Sequence, residues 1–192
     1  MNEYRVLKIA SLPLAISLLV AAGQYADAAP AVAAAPQVQN GATPLIDKVR
    51  AATARFRDIN IALAEGFVQG TPCVSGPDTG AMGVHFVMPS RITGGVYLQP
   101  DQPEALIYEP QSDGAFRLVG VEFIVLSANW FKTHDATSTP ALDGDLMNFV
   151  EAPNRYGLPA FYELHVWAWE NNPKGSFADW NTHVTCEKQP SA

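Results

Sequence analysis

The segment Phe116–Leu126 reads FRLVGVEFIVL, apolar on both faces of an extended chain, with a single carboxylate, Glu122, near its centre. Such a run belongs inside a sheet, so whichever face packs on the core, Glu122 is partly buried or lines a cavity. Three further segments, 84–88, 105–109 and 161–169, are rich in Val, Ile, Phe, Tyr and Trp and bounded by Gly, Pro, Asp and Asn, the pattern of short strands. Each holds an isolated ionisable residue among apolar neighbours: His85, Glu109 and His165. An ionisable group taken into a sheet alone costs several kcal/mol, about as much as a severe mutation. It must therefore be paired, hydrogen-bonded or bound to a metal.

One helical pattern precedes the strands. Thr43 suits an N-cap and Pro44 the first helical position, and Leu45, Val49, Ala52, Phe56, Ile59 and Leu63 then recur at spacings of four and three. The spacing predicts one long amphipathic helix, bent near Asp58 and ended by Gly66. A long helix followed by strands predicts an α+β domain over 43–192: an antiparallel sheet with the helix packed on it and long covering loops. The longest loop, 127–159, is dominated by Pro, Asp, Thr and Asn, with a brief helical turn expected at 146–150. No internal repeat is present.

Ahead of the helix, Arg5 and Lys8 precede an uncharged apolar run over 9–22 and then Ala26-Asp27-Ala28, the pattern of a secretory signal peptide over 1–28. The run is shorter than the roughly 20 apolar residues of a membrane span, and no later segment approaches that length. Residues 29–42, uncharged and dominated by Ala and Pro, read as a disordered leader. The expected protein is secreted or periplasmic, with no membrane attachment after cleavage. The formal net charge is −7, and the charges of the removed segment cancel. Acidity without a Lys/Arg cluster argues against nucleic acid and anionic membranes as partners.

Cys73 and Cys186, 113 positions apart, suit one disulfide in an oxidising compartment. The alternative is a pair of thiolate metal ligands, with His183 three residues before Cys186, although no C-x-x-C pair supports it.

Two imidazoles and a carboxylate from separate strands, His85, His165 and Glu122, are the donor set for a divalent metal such as zinc, iron or copper with positions left for water and substrate. Glu109 and Glu122 are the candidate catalytic acid or base. No H-x-H or H-E-x-x-H places two ligands on one element, so the set exists only if the strands converge. Each residue also has a structural reading: a core histidine for either imidazole, and for Glu122 a salt bridge to Arg91, Arg117 or Arg155. Simple alternation puts Glu122 on one face with Leu118, Gly120 and Ile124, and His165 on one face with Glu163, Trp167 and Trp169. Trp167, Trp169 and Trp180 define a second reading, a non-catalytic aromatic pocket for a small molecule. A third is a structural domain whose ionisable residues form a core network. Asp78-Thr79-Gly80 follows Gly-Pro and reads as a turn, and Asp143-Gly144-Asp145 lacks the spaced ligands of an EF-hand.

The blocks Pro72-Cys73, MGVHF at 82–86, YEP at 108–110, VGVEF at 119–123, LHVW at 164–167 and the Asn172-Pro173 to Cys186 stretch, in this order, resemble a family of small secreted bacterial proteins of unassigned activity. The resemblance runs from about Thr43 to Cys186 and implies a secreted single domain without implying a reaction. The chain departs from the pattern at Thr182-His183, where a proline is expected after Asn181.

Overall fold

A computed structural model describes residues 44–189. The signal peptide expected at 1–28, the leader expected at 29–42 and the N-cap expected at Thr43 lie outside the described residues. In chain order the elements are α1 (Pro44–Thr53), a 3-10 turn (Ala54–Arg57), α2 (Ile59–Ala64), β1 (Val68–Gln69), β2 (Val74–Gly76), β3 (Gly80–Val87), α3 (Pro89–Thr93), β4 (Ala105–Pro110), β5 (Phe116–Leu126), α4 (Ser127–Trp130), β6 (Ala141–Leu142), β7 (Asp145–Leu146), β8 (Asn148–Val150) and β9 (Phe161–Val166). Among the described residues one antiparallel sheet runs β1-β3-β4-β5-β9-β8, with β2 also paired to β3. The architecture is α+β, as expected, with β5 central.

The long helix is a correction. The chain breaks at Asp58, whose backbone is extended (φ −93°, ψ 109°) and whose carboxylate accepts the Asn60 N–H at 3.0 Å, capping α2. This break turns the apolar stripe, so that Ala62 is buried whereas Leu63 is exposed. Gly66 does follow the helix, at φ +101°. A second correction concerns 146–150. Instead of a helical turn, Leu146 closes the small β6-β7 hairpin and Asn148–Val150 pairs with β9 as a sheet edge. The backbone of 148–150 pairs with that of β9, which would otherwise be an open edge.

α1 and the 3-10 turn cover one face of the sheet. Leu45, Ile46, Val49 and Phe56 pack with Val84, Phe86, Leu106, Tyr108, Val121, Phe123, Leu164 and Val166, all buried. Tyr108 donates its hydroxyl proton to the Phe56 carbonyl at 2.7 Å, so the phenol tying β4 to the helical segment is satisfied. The opposite face is covered by the chain after β9, which returns to bridge Asn181 to Ala81 and ends in the Cys73–Cys186 disulfide. The disulfide removes the thiolate-ligand alternative.

A bulge decides which β5 residues face which side. Tyr108 pairs with Leu118 but its neighbour Ile107 pairs with Gly120, leaving Val119 as the extra residue. Leu118 therefore packs on the helix side with Val121, Phe123 and Val125, and Val119 packs on the opposite side with Ala81, Ile107, Trp167 and Val184. Strict alternation had assigned Leu118 to the face of Glu122 and Val119 to the other. Gly120 is needed at this corner, because a Cβ there would lie 2.9 Å from the Val166 carbonyl oxygen and 3.3 Å from the Trp167 ring.

Candidate metal centre

The sheet register brings the lone ionisable residues together on the face away from α1. His85 pairs with Ile107, Ala105 pairs with Glu122, and Glu122 pairs directly with His165 across β5 and β9. Only Ala105 and Ile107 of β4 intervene between His85 and Glu122. His85, Glu122 and His165 each offer a ligand atom within 4.8 Å of the others. All three are buried, with His165 fully inaccessible.

The arrangement leaves polar atoms without partners. His85 Nε2 and Glu122 Oε2 approach to 3.4 Å without making a hydrogen bond, and neither ring nitrogen of His165 has a partner among the described residues. Buried polar atoms are nearly always satisfied, and each orphan costs about 1–3 kcal/mol. His85 is positioned from behind: the Thr71 hydroxyl accepts the His85 backbone N–H at 3.2 Å and lies 3.2 Å from Nδ1. When Nδ1 carries the proton and donates it to Thr71, Nε2 turns its lone pair toward Glu122 and His165, the tautomer of a metal ligand. The His85 and His165 rings stand nearly perpendicular, 88° apart with centroids at 5.8 Å, and Trp167 lies against His165 at 22° and 6.1 Å.

Electrostatics follow from burial. Desolvation, aided by the neighbouring His165, pushes His85 down to about 3, and desolvation pushes His165 down to about 4, so both rings are neutral. Desolvation first, then the nearby Glu163 carboxyl, hold Glu122 protonated well above the usual range. Glu163 is raised as well, chiefly by burial. Neutral imidazoles are ready donors, and carboxyl protons held by crowding are released when a cation enters. Buried His and Glu residues here can hold a metal ion. Metal bonds of ~2.0–2.2 Å match the His85–Glu122 spacing of 3.4 Å.

Other residues join from outside the expected set. Glu163 and Asp179 form a second group with His165, again with ligand atoms within 4.8 Å, and Asp179 Oδ1 lies 3.8 Å from His165 Nδ1. Glu104 is buried and accepts the Ile124 N–H at 3.0 Å; desolvation pushes it up to about 7. A cavity of about 180 Å³ adjoins the centre, lined by His85, Glu122, Thr71, Ile124, Tyr156 and Phe161 among others. Tyr156 sets its ring edge-on to His85 at 6.1 Å and donates its hydroxyl proton to Met82 Sδ at 3.3 Å.

The remaining expected site residues lie elsewhere. Glu109 is committed to Arg117 Nη2 at 2.7 Å, the Thr185 N–H at 3.0 Å and Gln111 at 3.0 Å. Burial opposes its ionisation, but these hydrogen bonds and the guanidinium outweigh burial and hold the carboxyl below its usual range. This carboxylate is engaged in an ion pair with Arg117 and is not part of the His85, Glu122 and His165 group. The tryptophans separate because β9 ends at Val166 and the chain turns. Trp169 goes to the helix side, donating to Thr53 Oγ1 at 3.0 Å, and shares with Trp167 only the rim of a groove beside Arg50. Trp180 stands apart, under Arg155. His183 is half exposed, 3.9 Å from Glu170, and His134 stacks on Trp130 at 3.5 Å.

Among the described residues no helix is long and apolar enough to cross a membrane. Comparison of the chain with protein-family models, with curated proteins and with solved structures finds no match to any of them, so its chemistry has to be read from this centre.

Proposed function

We propose that this is an exported metal-binding domain in which His85, His165 and Glu122 hold one divalent transition-metal ion, zinc, iron or copper, beside a cavity that admits water or a small molecule. One observation carries the reading: His85 Nε2 and both His165 nitrogens are buried without hydrogen-bond partners among the described residues, next to a buried carboxyl group. A core network would have satisfied these atoms, because retaining orphans lowers stability with no return. Two imidazoles and one carboxylate leave coordination positions open, and the cavity adjoins them. A metal there supplies a Lewis acid or an activated water, with a neighbouring carboxylate as proton acceptor. Export is supported by the disulfide and by the signal-like start of the chain.

The test is elemental analysis of the purified protein after incubation with each metal and removal of the excess. Stoichiometric metal is expected in the parent chain and is expected to be lost in His85→Ala and His165→Ala variants that keep their circular dichroism. A parent chain that retains no metal overturns the reading.

A further inference from the structure

The two groups of ligand atoms meet in one residue. His165 belongs to the set with His85 and Glu122 and equally to the set with Glu163 and Asp179. An imidazole that serves a single metal ordinarily donates its second ring N–H to a carboxylate, a carbonyl or water, which fixes its tautomer. His165 does not: it is wholly buried and neither nitrogen has a partner among the described residues. Its Nδ1 faces Asp179 Oδ1 at 3.8 Å, too far for a hydrogen bond. That spacing accommodates two atoms bound to one cation through bonds of ~2.0–2.2 Å. Glu163 supplies a further oxygen, Oε2, that is buried and has no hydrogen-bond partner among the described residues. Asp179 is held in place by the Asn148 amide at 3.2 Å and is one-third exposed, which leaves a path from solvent.

We propose that His165 bridges two divalent cations, the first bound with His85 and Glu122 at Nε2 and the second bound with Glu163 and Asp179 at Nδ1. This rests on the reading of the first site as a metal centre. The charges close: three carboxylates and a bridging imidazolate carry four negative charges, and two divalent cations carry four positive ones. Loading releases the His165 ring proton and the carboxyl protons to solvent, with no change of oxidation state. A buried site that ends neutral avoids the desolvation cost of uncompensated ions.

Copper(II) titration of the purified chain tests the bridge, read by elemental analysis and by electron paramagnetic resonance. The parent chain is expected to bind two coppers, with a resonance intensity below its copper content because the bridged ions couple. Asp179→Asn, at a partly exposed position, is expected to bind one copper at full intensity, and His165→Ala to bind close to none. Glu163→Gln gives an independent route to the one-copper state. Saturation of the parent chain at one copper, two uncoupled coppers, or two coppers in Asp179→Asn overturns the bridge and leaves the first site intact. A parent chain with no copper, zinc or iron overturns both readings.

Discussion

The two faces of the sheet are built on opposite terms. Toward α1, Leu106, Tyr108, Val121, Phe123, Leu164 and Val166 form an apolar layer whose buried phenol is satisfied. On the opposite face the same strands, shifted by one residue, present Glu122, Glu163, His85 and His165, several of whose polar atoms have no partner among the described residues. The first face gains free energy from burial at roughly 25 cal/mol per Å². The second gives some of it back in desolvated groups. The fold thus concentrates these orphans on one face, around His165, apart from the apolar layer that holds the helices.

Substitutions on each side should separate along this line. The largest effect is expected from Phe123→Ala, which removes a fully buried ring from the helix side and should lower stability by about 3–5 kcal/mol in urea titrations. Where the variant is folded, its metal stoichiometry should match that of the parent chain. Loss of both together would mean that the faces are not independent.

A smaller and pH-dependent effect is expected at Glu104, which lies beneath the polar face. Its folded pKa of about 7 exceeds the ordinary carboxyl value of 4.5, so the folded state binds the extra proton. Its contribution is full below pH 4.5 and is lost as pH rises through 7, on the order of 3 kcal/mol in all. The stability of the parent chain relative to Glu104→Gln should therefore fall between pH 4.5 and 7 and stay level above. A difference that is flat across that range would show that Glu104 is ionised in the fold.

The smallest change expected is a gain. His165→Phe removes two orphaned nitrogens while keeping a ring against Trp167, and should stabilise the metal-free chain by about 1 kcal/mol. The same variant should lose the rise in melting temperature that the parent chain shows with metal, a rise worth about 4 kcal/mol when the ion is at a thousand times its dissociation constant. A destabilised variant would make His165 part of the structural face instead.

The convergence of His85, Glu122 and His165 was legible because each is an ionisable residue flanked by apolar ones in a strand, where desolvation demands a partner. Glu163 carried the same signal, two residues from His165 on the same side of a strand. Glu109 carried it too and proved to be an ion pair, since the sequence cannot say whether Arg117 on the adjoining strand will reach it. Asp179 and Thr71 gave no signal at all. Both lie in polar loop sequence, and only the path of the chain brings them to the histidines.

The chain's own pattern determined the four long strands β3, β4, β5 and β9, the single pairing available to Cys73 and Cys186, and the need to compensate ionisable groups, because these follow from local periodicity and from the cost of removing charge from water. Tertiary structure decided the break of the helix at Asp58, the bulge that moves Val119 to the side of Glu122, and the turn that carries Trp169 away from Trp167. Each depends on competition between a local backbone preference and contacts far away in sequence, and register across strands is fixed only when those contacts form. That two groups of metal-capable side chains share one imidazole is a product of that register: Glu122 lies directly across from His165, and the returning C-terminal chain places Asp179 Oδ1 3.8 Å from its Nδ1.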